Sequence, residues 1–151
     1  MYIVTGPGYK DYDSLVERTN SERNVLVSHD TGVISGLMEK VQLAVTSNGR
    51  TVYELAHMNI PAIVIAQHQR ELTHSYASES KGFVPLGIYQ PNKTEQLVST
   101  ALERLINNVP YRRGLFDRMT ELEFNENKMK VVSKLQGLLG KDMSKAKITH
   151  S

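Results

Sequence analysis

Polar residues whose types and spacing suit an anion site follow the short apolar run at residues 43–46. Ser47, Asn48 and Gly49 favour a tight turn and helix capping, and a helical pattern begins directly after them. Backbone N–H groups at such a strand-to-helix turn lack intrahelical partners and carry the positive end of the helix dipole. The predicted ligand of this turn is therefore a phosphate or another anion.

Thr51 and Glu54 have two competing interpretations. Thr-x-x-Glu is the spacing of a capping box, in which hydroxyl and carboxylate each accept from the other's backbone N–H and no ligand is needed. If the helix instead begins at Ser47 and Asn48, Thr51 lies in its first turn beside a bound phosphate. Glu54 then projects one turn deeper, where its carboxylate can accept both hydroxyls of a ribose. The spacing alone does not decide between them.

Other candidates follow the remaining apolar runs, because ligands of open parallel sheets bind at the carboxyl ends of the strands. The polar loops there hold residues 5–9, 28–31 and 67–74. His29, His68 and His74 are predicted to form hydrogen bonds, since no two of them have the helical i,i+4 spacing of a zinc site. We therefore predict no metal site and no cofactor, and because no Ser-His-Asp or paired-carboxylate pattern is legible, the sequence assigns no catalytic residue.

Alternating short apolar strands and amphipathic helices predict the fold. The pattern indicates an α/β protein with a Rossmann-like, doubly wound parallel sheet flanked by helices. Asn59 is a predicted left-handed stop and Pro61 prevents further helix, while Pro85 places its strand at a sheet edge. We predict one domain over residues 1–140 and a polar, mobile tail at residues 141–151.

Composition narrows the possible functions. The 151 residues include no cysteine, which excludes disulfides, thiolate nucleophiles and Cys-ligated zinc, and favours a reducing, cytoplasmic setting. The net charge is only +2 and the basic residues are mostly scattered, so nucleic-acid binding is not expected. No membrane span or secretory signal is predicted.

Residues 48–71, NGRTVYELAHMNIPAIVIAQHQRE, resemble the donor-binding segment of MurG-like glycosyltransferases of the GT-B class. The similarity extends over about residues 1–107 and includes the strand at 24–28 with the residues that follow it. The family's paired Gln in the sugar loop is not present, because Leu72 and Thr73 fall near those positions. The resemblance assigns Ser47, Asn48, Gly49, Arg50, Thr51 and Glu54 to the diphosphate and ribose, Ser28, His29 and Asp30 to the base, and Gln67, His68, Glu71, Thr73 and His74 to the sugar.

The resemblance implies a UDP-sugar-binding, carboxyl-terminal half of a GT-B enzyme of cell-surface polysaccharide or glycoconjugate biosynthesis. Such enzymes also have an amino-terminal acceptor domain, so we expect a partner domain or chain and an inactive isolated chain. Any peripheral membrane contact would come through that partner, and the oligomeric state is not predicted. Two alternatives stay open. One is the related nucleotide-sugar hydrolase of pseudaminic acid synthesis, a module that also occurs fused to acylneuraminate cytidylyltransferases, and the other is a non-catalytic nucleotide-binding or assembly module.

Overall fold

The computed structural model describes residues 1–29, 32, 34–122 and 129–137. In these ranges short strands alternate with helices along the chain. The order is β1 (Tyr2–Thr5), α1 (Tyr12–Thr19), β2 (Leu26–His29), α2 (Ile34–Met38), β3 (Ala44–Ser47), α3 (Thr51–His57), β4 (Ala62–Ala66), β5 (Phe83–Ile88), α4 (Lys93–Asn107) and α5 (Val109–Thr120). Two 3₁₀ turns, Gln69–Thr73 and Glu79–Lys81, lie between β4 and β5, and residues 129–137 are helical.

Each hydrogen-bonded strand pair in the described ranges is parallel, which confirms the predicted α/β class. β1 pairs with β2, and β3, β4 and β5 form a second sheet in that order. The expected single sheet is therefore wrong at the level of backbone pairing, because no ladder in the described ranges joins the two sheets. Periodicity shows where strands lie, whereas the choice of neighbour depends on tertiary packing that a local pattern does not contain.

The core lies on both faces of β4. Val64 packs with Leu55 of α3 on one face, and Ile63 packs with Leu105 of α4 and Leu115 of α5 on the other. A parallel strand covered on both faces must be apolar at every position, and the sequence Ala-Ile-Val-Ile-Ala meets that requirement.

The end of α3 follows the predicted left-handed stop. Asn59 has φ 57°. The N–H of Ile60 donates to Leu55 O at 2.9 Å and that of Asn59 donates to Ala56 O at 3.1 Å, which is the bonding pattern of a Schellman cap. Pro61 then separates this cap from β4, so the stop prediction is confirmed.

β5 lies at a sheet edge, as Pro85 predicts, and a register shift interrupts its ladder with β4 between Val64 and Ala66. Gly82 precedes it with φ 86°, and a Cβ there would overlap Leu115 O and Met119 Cγ of α5. A glycine is therefore required where the chain enters β5 beneath α5.

Some predictions fall outside the described residues: Asp30 in the base-lining set, the limit of the domain at residue 140, and the polar tail at 141–151. Among the residues that are described, no helix is long and apolar enough to cross a membrane.

Candidate functional site

The start of α3 excludes the capping box at Thr51 and Glu54, whereas their ligand interpretation stays a prediction. The N-cap position is Arg50, already in the right-handed helical region at φ −64° and ψ −32°, and its side chain makes no capping hydrogen bond. Thr51 is therefore the first helical residue and cannot serve as the cap of a capping box, which needs extended backbone at that position. The helix also does not begin at Ser47. Glu54 lies in the first turn and is exposed, so its carboxylate faces solvent.

Asn48 joins the loop that follows β3 to the loop that follows β4. Its side-chain amide donates to Glu71 O at 2.7 Å and to His74 O at 3.0 Å, and its own backbone carbonyl lies 2.8 Å from His74 Nδ1. A carbonyl only accepts, so Nδ1 carries the proton and Nε2 of His74 is the remaining ring nitrogen. These three contacts fix residues 67–74 against the turn at residues 47–51.

Two further hydrogen bonds shape residues 67–74 from within. Gln67 N donates to Glu71 Oε2 at 2.9 Å, and Thr73 Oγ1 donates to Arg70 O at 2.7 Å. The Glu71 carboxylate is thereby held beside Gln67, at the point where β4 ends. His68, which follows Gln67 in the chain, is exposed.

A pocket of about 520 Å³ lies at the carboxyl ends of β3 and β4. It is lined by Val45, Thr46, Ser47, Ile65, Gln67 and Tyr89. Its size is within the range of small-ligand sites, which run from about 300 to 1,000 Å³. Because Ser47 belongs to the predicted anion turn and Gln67 to the predicted sugar loop, the pocket brings the two sets together.

The predicted base-lining residues lie at the end of the other sheet. Thr5 Oγ1 is 2.9 Å from His29 Nδ1 and 3.5 Å from Ser28 O, and the ring of Tyr12 lies 4.8 Å from that of His29. These contacts connect β1, α1 and β2. These contacts of Ser28 and His29 stay within β1, α1 and β2, so the described residues place the candidates in two polar groups, one at each sheet.

Sequence reasoning missed the apolar lining of the pocket, above all Tyr89. Tyr89 follows β5 directly, and its N–H donates to Ala66 O at 2.8 Å, which places it beside the end of β4. The strand-end rule that selected the other loops would have selected this one if it had been applied to β5.

Two aromatic residues, Tyr53 of α3 and Tyr76, lie in contact with each other. The rings of Tyr53 and Tyr76 are 4.5 Å apart, and Lys81 Nζ lies 4.3 Å from the centre of the Tyr76 ring. Burial, and secondly repulsion from Tyr53, raise the pKa of the Tyr76 hydroxyl above its ordinary value.

Among the described residues, no three His, Asp or Glu side chains lie close enough together to hold a metal ion. Compared with known protein families, with curated proteins and with solved structures, the chain matches none of them.

Proposed function

We propose that this chain is a nucleotide-sugar-binding domain whose ligand is a UDP-sugar, corresponding to the donor-binding half of a GT-B-like glycosyltransferase. The observation that carries the proposal is the junction made by Asn48, which holds the turn after β3 and the loop after β4 at one end of the sheet, beside a pocket that both of them line. Ligands of open parallel sheets bind at that end.

The parts of a nucleotide sugar have chemically matching neighbours there. The diphosphate is anionic, and Arg50 supplies a cation on the turn that also holds Gly49 and Thr51. Glu54 lies one helical turn after Thr51, and its exposed carboxylate can accept hydrogen bonds from two ribose hydroxyls. The sugar then lies toward Gln67 and His74, and Ser28 and His29 are the assigned base contacts.

Transfer of the sugar requires an acceptor and a group that activates it. We assign no residue of this chain to that step, and we propose that a partner domain or chain supplies it. The purified chain is therefore expected to bind the nucleotide sugar without transferring or hydrolysing it. Turnover by the purified chain, measured as release of UDP, would contradict the proposal that a partner supplies the activating group.

Glu54→Gln tests the ligand assignment. Gln keeps the size of the side chain but removes the charge and one acceptor, so UDP binding should weaken by about 1.5–3 kcal/mol, the range for hydrogen bonds to charged groups. The melting temperature should stay close to that of the wild type, because the carboxylate is exposed and no capping box depends on it.

Glu103→Gln is the matched control, since Glu103 is an exposed glutamate on α4, ten residues after that helix begins at Lys93. It should leave UDP binding unchanged. If calorimetry gives equal affinities for the wild type, Glu54→Gln and Glu103→Gln, Glu54 is not a ligand of the nucleotide.

A further inference from the structure

The pocket at the ends of β3 and β4 has a composition that restricts what it can bind. Its lining combines three apolar side chains, Val45, Ile65 and Tyr89, with three that carry a hydroxyl or an amide. None of these six described lining residues is charged. A phosphate or carboxylate would gain no countercharge from these six side chains, so an uncharged group is the better occupant.

Two of the apolar lining residues are more exposed than the core requires. Val45 is 47% exposed on a strand of the three-stranded sheet, and Tyr89 is 48% exposed. The backbone of Tyr89 is held beside the end of β4, because its N–H donates to Ala66 O at 2.8 Å, immediately before Gln67. An aromatic ring and a hydrogen-bonding amide that line the same pocket suit a ligand with one apolar face and a polar rim.

A carboxylate lies next to this pocket and adds a constraint of charge. Glu71 Oε2 accepts from the N–H of Gln67 at 2.9 Å, which keeps its negative charge close to the Gln67 end of the lining. A second carboxylate brought by the ligand would be repelled.

From these observations we infer that the pocket selects an uncharged sugar over an acidic one, with the apolar face of the sugar ring on Tyr89 and its hydroxyls toward Ser47, Thr46 and Gln67. A pyranose ring has such an apolar C–H face, and the hydroxyls around its rim both donate and accept hydrogen bonds. The hydroxyl and amide groups of the lining also both donate and accept, so the two sets are complementary. The inference rests on the proposed function, because it places the sugar of the nucleotide sugar.

The test compares UDP with two pairs of UDP-sugars that differ only in a carboxylate: glucose with glucuronate, and galactose with galacturonate. The neutral member of at least one pair should bind about three- to tenfold more tightly than UDP, the gain of an aromatic contact, and its acidic partner no more tightly than UDP. Equal or tighter binding of the acidic member in both pairs would overturn the inference, as would neutral sugars that add nothing to UDP.

Tyr89→Ala should abolish the gain from the neutral sugar and leave the affinity for UDP alone unchanged, whereas Tyr89→Phe should keep most of the gain. A gain that persists in Tyr89→Ala would contradict the stacking role. If UDP itself does not bind, the proposed function fails, and saturation-transfer NMR with methyl glucoside and methyl galactoside tests the pocket separately. A signal present in the wild type and lost in Tyr89→Ala would still support a sugar site, and a signal equal in both proteins would exclude it.

Discussion

The two sheets of this protein differ in how deeply their strand residues are buried. In the three-stranded sheet, four of the five residues of β4 are buried, and helices cover both of its faces. In the two-stranded sheet only Thr5 is buried, while Leu26 is 58% and Val4 37% exposed. Stability should therefore be concentrated in the β3-β4-β5 sheet.

The same contrast appears in the polar groups at the strand ends. At the larger sheet, Asn48 makes hydrogen bonds to residues 23 and 26 positions away, which fix two loops to each other. At the smaller sheet, Thr5 Oγ1 contacts Ser28 O and His29 Nδ1, both on the adjacent strand β2, so these contacts join two strands and no loops. A preformed pocket needs fixed walls, so the end of the larger sheet is the better place for a ligand.

The largest expected effect is on the free energy of unfolding. It is found by replacing a core residue of the larger sheet and, for comparison, an exposed apolar residue of the smaller sheet. Phe83→Ala removes a fully buried ring from the larger sheet and should lower the free energy of unfolding by about 3–5 kcal/mol. Leu26→Ala in the smaller sheet should change it by no more than about 0.5 kcal/mol, because Leu26 is largely exposed. Urea denaturation measures both. If Phe83→Ala does not fold, Phe83→Leu replaces it, and equal losses at the two sites would remove the contrast.

Two glycines, one just before β5 and one within it, compare a position packed against α5 with an open one. Gly82 and Gly87 both have positive φ, 86° and 79°, but only at Gly82 would a Cβ overlap other atoms, those of α5. Gly82→Ala should therefore cost about 2–4 kcal/mol, and Gly87→Ala about 1 kcal/mol from backbone strain alone. Similar losses of stability in the two variants would show that α5 does not pack as closely on the larger sheet as described.

Asn48→Ala compares the strand-end contacts of the two sheets. It leaves the carbonyls of Glu71 and His74 without their donor and should cost about 1–2 kcal/mol. Amide exchange should become faster across residues 67–74. Thr5→Val, which removes the hydroxyl that contacts Ser28 O and His29 Nδ1, should cost about 1 kcal/mol or less and leave exchange in residues 67–74 unchanged. Unchanged exchange there in Asn48→Ala would refute the coupling of the two loops.

The smallest effect depends on pH. The raised pKa of Tyr76 means that the folded state holds the phenol proton more tightly than the unfolded chain does. Tyr76 therefore adds stability that is fully present below pH about 10, the ordinary tyrosine pKa, and is lost as the pH rises through the raised value. Tyr53→Phe removes the second cause and should lower the pKa of Tyr76 in an ultraviolet titration. A Tyr76 pKa at or below the ordinary value in the wild type would contradict this assignment.

Local features were predictable from the sequence because neighbouring residues determine them. Asn59 and Pro61 set the end of α3, and Pro85 marked an edge strand. The Asn48 contacts were not predictable, since their partners lie on another loop and depend on the placement of β4 next to β3. The start of α3 directly after Gly49 was predictable, but its N-cap was not, because the signals at Ser47 and Thr51 each suggested a cap and the N-cap position is Arg50, between them.

The pairing of strands shows the same limit on a larger scale. Each apolar run was found, yet the division into two sheets depends on which edges meet in three dimensions. Likewise, the sequence indicates only that Val45 belongs to a strand. Its 47% exposure and its place beside Tyr89 show that it lines a pocket.

The central claim, that the end of the larger sheet binds a nucleotide sugar, is tested most directly by titrating the ¹⁵N-labelled chain with UDP and following the amide signals. We expect saturable shifts with a dissociation constant of about 0.1–1 mM, since half of the enclosing surface would come from a partner. The largest shifts should fall on residues 47–51 and 67–74. No saturable shift at about 10 mM UDP, or shifts confined to residues remote from these two segments, would contradict the account.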